Sequence, residues 1–442
     1  MATEAKPQTI GLWMTTAIVV GTIIGSGIFM LPVSLAPLGY NALIAWVISG
    51  IGVVCIAYAL GRLSRLGGDG IQANVEKEFG ATPGFLVAWS FWVSNWVAQA
   101  AVAVAAASAL SFVGPQFLHP DAIVAVAIGW LVILTGINAL GVRAASGFSL
   151  VTVVIKLLPL LAVIWIFGER GATGASFEAM APAPVNLGNL AAATALTFFA
   201  FTGFECATTP VGKVRNAART IPRALIGGVV FVVLLYLVAG TAIQMLLPAD
   251  VVAASPAPFA DALVSRWGNG AASFAALGIA VAAIGCLNGL ILATGELGYS
   301  MSLRGDLPRF MARTRGVNTP VVSQILGSGL SVILLFVNNS KGGAELYTYI
   351  ILLSTAAVVI VYLAAALAAW NNSPSLLQRS VIGLSLLFIA FATYGLGLEA
   401  SLWSLVLLAI GLAIRAVMHR LNSRAATPQS VTAPAEPRAP AA

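Results

Sequence analysis

The stretch from Gly21 to Phe29 reads G-T-I-I-G-S-G-I-F and lies within an apolar run from about residue 10 to residue 35. Its glycines weaken a continuous helix, since glycine costs about 1 kcal/mol relative to alanine inside one. Glycine also lets the backbone leave helical geometry without a Cβ clash. Non-helical backbone at membrane depth is tolerated only where protein buries it or a wet cavity borders it. We therefore predict a helix broken at Gly25-Ser26-Gly27, with its freed amides facing a ligand. A small-residue patch for close helix packing is the alternative.

The composition indicates an all-α membrane protein. Of the 442 residues, 59% are hydrophobic and only 8% are charged, whereas soluble domains carry about 25% charged residues. Long apolar runs argue against a β-barrel, whose strands alternate. The cysteines Cys55, Cys206 and Cys286 lie in apolar runs without paired spacing, so we predict neither a disulfide frame nor a metal site. The first apolar run lacks a small-residue cleavage site, which argues against a signal peptide.

Apolar segments of about 20 residues predict some twelve transmembrane helices. Their positions are 10–36, 41–61, 84–113, 122–140, 148–167, 190–210, 224–247, 271–298, 319–338, 346–369, 380–397 and 401–418. The cytoplasmic segment 69–83 is too polar to span and is predicted to be an interfacial helix leading into the third span. Residues 1–9 are predicted to be a cytoplasmic N-terminus, and residues 419–442, rich in Pro and Ala, a disordered cytoplasmic tail.

The lysines and arginines fix the predicted orientation. With both termini inside, only Arg170, Arg266 and Lys341 fall outside, Lys156 lies within a span, and all the others are cytoplasmic. This asymmetry is the positive-inside signal. It accounts for the net charge of +7 without a nucleic-acid partner.

A second candidate break occurs at 198–205, which reads F-F-A-F-T-G-F-E. Corresponding interruptions in two five-span halves point to an inverted-repeat transporter with its substrate at the midplane. We place repeat one at about 10–167, repeat two at about 190–369, and two extra helices at 380–418. Half-helix N-termini favour anions, so a carboxylate substrate suits the Gly-Ser-Gly break.

Five segments of the chain resemble the amino acid–polyamine–organocation superfamily. They are 21–32 (G-T-I-I-G-S-G-I-F-M-L-P), 198–205, 214–224 (V-R-N-A-A-R-T-I-P-R-A), 255–262 (S-P-A-P-F-A-D-A) and 299–310 (Y-S-M-S-L-R-G-D-L-P-R-F). The likeness is greatest to its basic amino acid and polyamine antiporter branch. The resemblance implies a LeuT-like fold of twelve helices, with helices 1 and 6 broken, that works by alternating access.

The resemblance also implies a set of substrate-binding positions in both breaks and in three further spans. These are Ile23, Ile24, Gly25, Ser26, Gly27, Asn95, Gln99, Phe199, Ala200, Thr202, Gly203, Leu290 and Ser354. Phe199 occupies the position of an aromatic lid above the substrate. Three positions depart from the branch's pattern: Thr22, Leu290 and Glu296. Because Asn95 and Gln99 are four residues apart they share one helix face, and helix–helix hydrogen bonding is their alternative role.

Two ionisable residues lie inside predicted spans, where a charge costs about 2.5–3.5 kcal/mol on insertion scales. Lys156 is eight residues beyond Phe148, or about 12 Å deep at the helical rise. The resemblance implies that its ammonium replaces a sodium ion against the broken first helix; the alternative is a lysine snorkelling to the interface. Glu205 occupies the position of an intramembrane glutamate proposed to sense protons. Its alternative role is that of a neutral, hydrogen-bonded latch.

The resulting expectation is a secondary amino acid transporter of a bacterial inner membrane, with an amino acid or polyamine as substrate and protons as a further partner. Antiport, such as arginine for agmatine or another basic amino acid for a polyamine, is preferred. Proton-coupled symport of neutral amino acids is the alternative, and a membrane-embedded enzyme or a channel is more distant. The chain lacks a Walker motif and a nucleophile elbow, and we predict no cofactor, no metal and no enzymatic activity. Family members often form dimers, so a homodimer remains open.

Overall fold

A computed structural model of the chain describes residues 11–67, 70–114, 120–140, 145–208, 214–315, 319–341 and 343–426. These residues form α-helices joined by short loops and 3-10 turns. The α-helices are α1 (Leu12–Ile23), α2 (Gly27–Leu35), α3 (Tyr40–Leu63), α4 (Ile71–Phe79), α5 (Ala81–Ser111), α6 (Pro120–Ala139), α7 (Ala145–Ala172), α8 (Leu187–Phe201), α9 (Ala217–Leu246), α10 (Ala249–Ala254), α11 (Pro258–Leu303), α12 (Val321–Val337), α13 (Gly343–Asn371), α14 (Leu376–Gly395) and α15 (Gly397–Ala426).

The predicted all-α membrane fold is confirmed. Among the described residues, ten helical segments are long and apolar enough to cross a membrane, and the first of them joins α1 and α2. The two other predicted spans also fall on helices: 148–167 lies within α7, and 319–338 coincides with α12, which has 17 residues. The two predicted helix breaks lie between α1 and α2 and at the end of α8.

Two boundaries differ from the prediction. The segment 248–270 lies between two predicted spans, 224–247 and 271–298, but it holds α10 and the first turns of α11, which bends at Gly268, where φ is 76°. α15 continues to Ala426 instead of ending at 418. A buried carboxylate holds this extension, since Asp306 accepts a hydrogen bond from Arg415 at 2.8 Å and lies 3.3 Å from His419. Residues 1–9 and most of the predicted tail lie outside the described residues.

The polar segment after α3 forms the expected short helix, α4. Its apolar face buries Ile71 and Val75 while Glu78 is exposed. The Glu78 carboxylate accepts hydrogen bonds from the amides of Asn372 at 2.9 Å and Asn371 at 3.0 Å, at the end of α13. These two bonds lower the pKa of Glu78 below its ordinary value, because they stabilise the charged form.

The centre of the molecule is built around α5. This helix is buried along nearly its whole length, as expected for a helix that is apolar on every side. It packs along α11 on one side and α13 on the other, with α12 beside α11. The two broken helices lie against this group, and the cavity described below lies between them.

Candidate functional site

The first break separates α1 from α2. Ile24 leaves the helical region with φ −72° and ψ 82°, and the Gly25 amide turns back to the Ile23 carbonyl at 2.7 Å. Within the described residues, the amides of Ser26, Gly27 and Ile28 donate to no carbonyl. They are the first donors of a helix N-terminus, where the Ser26 amide contacts the Cys286 sulfur, and such an end attracts anions.

The second break ends α8. Thr202 is extended, with ψ 154°, and its hydroxyl donates to the Phe199 carbonyl at 2.8 Å. Gly203 follows with φ 114°, a conformation that favours glycine. The carbonyls of Ala200 and Phe201 receive no backbone hydrogen bond in the described part of the chain. This helix end therefore carries partial negative charge.

The two breaks are in direct contact. A Cβ atom added at Gly203 would lie 2.6 Å from the Thr22 carbonyl oxygen, and one added at Gly27 would lie 3.0 Å from the Ala200 Cα. Only residues without a side chain permit this approach. The glycines of the two motifs therefore bring the free amides of α2 and the free carbonyls of α8 to one place.

A cavity of about 340 Å³ lies at the junction of the breaks, which is within the usual size range of small-molecule pockets. α1, α2, α5, α7, the second break and α11 all contribute to its wall. The polar and charged residues of the wall are Thr22, Ser26, Ser94, Asn95, Lys156, Thr202, Glu205, Cys206, Cys286 and Asn288, and its large apolar residues are Ile23, Phe91, Val102, Phe199, Leu290 and Leu292.

Two buried hydroxyl groups mark the amide-rich end of the cavity. Ser26 is 2% exposed and Tyr347 is 1% exposed, and their two hydroxyl groups interact with each other. The Tyr347 ring lies edge-on to the Phe199 ring, with centroids 6.5 Å apart. A hydroxyl group can donate one hydrogen bond and accept two, so this pair keeps the capacity to bond a ligand as well.

Lys156 reaches the end of α1. Its side chain is 4% exposed, and Nζ donates to the Gly21 carbonyl at 3.2 Å. This is the contact with the broken first helix that the resemblance implies. The position is favourable because the C-terminal end of a helix stabilises a positive charge.

Glu205 ties the second break to α13. The carboxyl group is 3% exposed. Its Oε2 atom accepts hydrogen bonds from the Gly203 amide at 3.0 Å and from the Tyr362 hydroxyl at 2.6 Å. The Tyr362 ring stacks on Phe204, with centroids 5.4 Å apart. Any movement of the second break relative to α13 must therefore disturb the Glu205 contacts.

Three of the predicted substrate-binding residues lie behind the cavity wall. Gln99 is fully buried, and its Nε2 donates to Thr294 Oγ1 at 2.7 Å and to the Leu290 carbonyl at 3.3 Å. Ser354 donates to the Ser94 carbonyl at 3.0 Å. Ile24 is completely buried. Gln99 and Ser354 thus bond neighbouring helices together, which is the alternative weighed for Gln99. The other predicted residues all line the cavity.

Sequence reasoning missed Ser94 and Cys286 as wall residues, whereas Asn288 can be weighed in the same way as Asn95. Asn288 accepts a hydrogen bond from Asn138 at 2.7 Å, and Cys286 lies opposite Gly25. The signal that could have found Ser94 is the helical spacing of Phe91, Asn95, Ala98 and Val102 on α5, because Ser94 borders that face. No group of three His, Cys, Asp or Glu residues that could hold a metal ion occurs among the described residues.

A bundle of apolar helices with two broken members that meet at a central cavity defines a class, that of secondary transporters. Sequence comparison then gives the family. The sequence profile of the amino acid permease family matches residues 10–398, so the chain belongs to that family and to the amino acid–polyamine–organocation superfamily. It is a multi-pass membrane protein.

Two curated relatives are similar over most of their length. A putative arginine/ornithine antiporter of Bacillus subtilis (strain 168) is 28% identical over 366 residues, which cover 74% of this chain and 76% of the relative. A cadaverine/lysine antiporter of Escherichia coli (strain K12) is 29% identical over 353 residues, which cover 77% of this chain and 78% of the relative. Both relatives are named as transporters.

Proposed function

We propose that the protein is an amino acid/amine antiporter that exchanges a basic amino acid for a related amine or amino acid by alternating access. The observation that carries this proposal is the cavity where both helix breaks meet, with free amides at one end and free carbonyls beside them. The names of the two relatives support the substrate class, since both pair a basic amino acid with a second basic compound.

The amino acid backbone of the substrate suits the two breaks. The amides of Ser26, Gly27 and Ile28, with the Ser26 hydroxyl, would bind the carboxylate. The carbonyls of Ala200 and Phe201 would accept from the α-amino group. Both assignments rest on groups without a backbone partner in the described part of the chain, which binding would satisfy.

The side chain of the substrate would lie towards α5 and α11. There the wall offers Phe91 and Phe199, whose rings can stabilise a cation by about 0.5–2 kcal/mol each, and the amides of Asn95 and Asn288. The Asn95 amide nitrogen donates to the Phe91 carbonyl at 2.7 Å, so its oxygen remains to accept from a substrate amine. Phe199, beside Tyr347, would close the cavity as an aromatic lid.

The two charged wall residues would couple binding to movement. Lys156 would hold α1 through the Gly21 carbonyl in the place of a bound sodium ion. Glu205 would gain or lose a proton as the second break moves relative to Tyr362. Gln99 and Ser354 would act from behind the wall, by positioning α11 and α5.

The cellular setting follows from the charge distribution. We place the protein in a bacterial inner membrane with both termini in the cytoplasm, on the lysine and arginine asymmetry. The division into repeats at about 10–167 and 190–369 belongs to the same proposal, as does a homodimer.

Counterflow in proteoliposomes tests the function. Vesicles loaded with unlabelled lysine, ornithine or cadaverine should accumulate labelled arginine or lysine, and empty vesicles should not. Acceleration by internal substrate would establish exchange. Accumulation of neutral amino acids driven by a pH gradient, without acceleration by internal substrate, would instead indicate the proton-coupled symporter. Flux that does not saturate would indicate a channel.

A further inference from the structure

The carboxylate of Glu296 lies just beyond the cavity on α11. It occupies the same helix face as the wall residues, since at 100° per residue its direction is within about 40° of Gly285, Gly289 and Leu292. It is about 6 Å further along the helix axis than Leu292, at the rise of about 1.5 Å per residue. Glu296 therefore continues the cavity-lining stripe towards the Leu303 end of α11.

The orientation of the side chain brings the carboxylate closer to the cavity. Side chains on a helix lean towards its N-terminus, and the wall residues of α11 all precede Glu296 in the chain. The opposite face of α11 packs on α12, where Gly295 and Gly298 contact Gln324 and Ser323. Glu296 is exposed, on the face of α11 that continues the line of the wall residues.

The packing of α5 against α11 fixes which residues of the two helices lie at the same depth. Gln99 bonds the Leu290 carbonyl and Thr294, whereas the Trp92 indole lies next to Gly298, so α5 and α11 run antiparallel. This register places Asn95 about level with Glu296, and Phe91, also a wall residue, nearer the Leu303 end of α11. A carboxylate, an amide oxygen and an aromatic ring are the groups that bind an ammonium or guanidinium.

The Glu296 carboxylate has no bonding partner among the described residues. In the part of the chain that the structure describes, its carboxylate makes neither an ion pair nor a hydrogen bond. A carboxylate within a membrane segment is expensive unless it has a function. Glu205, the carboxylate of the cavity wall, is by contrast already bonded to Tyr362.

We propose that Glu296 is an entry subsite for the cationic end of the substrate, an ammonium or guanidinium group, at the mouth of the cavity towards Leu303. This proposal rests on the proposed function and narrows its substrate class. With the orientation proposed above, the mouth is cytoplasmic, so Glu296 acts on substrates that leave the cell. Its attraction lowers the KM on that face and leaves the central site unchanged.

The test compares the two faces of the membrane. Inside-out vesicles present labelled lysine or cadaverine to the cytoplasmic face, and whole cells present them to the outer face. For Glu296→Gln we expect the KM on the cytoplasmic face to rise about tenfold, the effect of losing about 1.4 kcal/mol of attraction. The KM on the outer face and the maximal rates should stay within twofold. Glu345→Gln, at an exposed carboxylate on α13, is the matched control and should change neither face.

Each outcome decides the proposal. If the wild-type protein exchanges cationic substrates and Glu296→Gln keeps the wild-type KM on the cytoplasmic face, the subsite is wrong and the proposed function stands. If the wild-type protein exchanges no cationic substrate, both proposals fall. If Glu296→Gln does not reach the membrane, salt provides the test with the wild-type protein. Salt screens the attraction between an exposed carboxylate and a cation. A KM on the cytoplasmic face that does not rise with ionic strength would therefore also overturn the proposed entry subsite.

Discussion

Replacing Gly203 with alanine should separate the two helix breaks. Gly203 has a φ of 114°, and an added Cβ atom would lie 2.6 Å from the Thr22 carbonyl oxygen. The backbone conformation costs about 1–3 kcal/mol for a residue other than glycine. The contact costs about 1–3 kcal/mol more, as for an overpacked core. We expect a total destabilisation of about 2–6 kcal/mol and a marked loss of exchange, since the wall of the cavity must shift.

Two other glycines serve as matched controls for this substitution. Gly397 has a φ of 80° but would place its Cβ atom in open space, so Gly397→Ala should show the conformational cost alone. Gly329 lies inside α12, also with open space around its Cβ position, so alanine there should be neutral or stabilising by up to about 1 kcal/mol. The measurements are the thermal unfolding midpoint of the purified protein and the counterflow rate. If Gly203→Ala unfolds no earlier than Gly397→Ala and exchanges at the wild-type rate, the contact between the breaks is not required.

Three further changes test individual contacts. Lys156→Gln removes the positive charge at the end of α1. We therefore expect the counterflow rate to fall about tenfold and its pH dependence to change. A variant that keeps the full rate and the wild-type pH dependence would exclude the proposed role of Lys156 in holding α1. Tyr362→Phe removes the hydroxyl that bonds Glu205 at 2.6 Å and should destabilise the protein by about 1–3 kcal/mol, seen in the unfolding midpoint; an unchanged midpoint would contradict this. The lowered pKa of Glu78, caused first by its bond to Asn372, contributes stability that is present above the ordinary glutamate pKa and lost as the pH falls through the lowered one. Protection of the α4 amides, measured relative to their intrinsic exchange rate at each pH, should therefore fall only at acid pH, and a profile that Glu78→Gln leaves unchanged would refute this.

The residues that could be predicted from the sequence are those whose role is set by the backbone. The glycines of the first break and Gly203 indicate a departure from helical geometry. The positions of the two breaks then predict which of their residues line the cavity. Asn95 and Gln99 show the limit of this reasoning. They differ by only about 40° around α5, yet Asn95 lines the cavity while Gln99 bonds Thr294. The sequence does not state where the neighbouring helix lies.

The same limit applies to the ends of the helices. Hydropathy places the last span at 401–418, but α15 continues beyond it, where His419 lies 3.3 Å from the buried Asp306 and Asn422 donates to the Gly305 carbonyl at 3.3 Å. An ion pair between distant segments leaves no local pattern. The α11 start was missed for a different reason, since Gly268 bends the helix and resembles a loop residue in the sequence.

The amides at the first break give a physical reason for exchange over one-way transport. In the described part of the chain, the amides of Gly27 and Ile28 donate to no carbonyl. Closing the cavity on nothing would remove water from these groups, at about 1–3 kcal/mol for each. Closing it on a substrate carboxylate would satisfy them instead. An empty carrier should therefore reorient slowly and a loaded one quickly, which couples the departure of one substrate to the entry of the next.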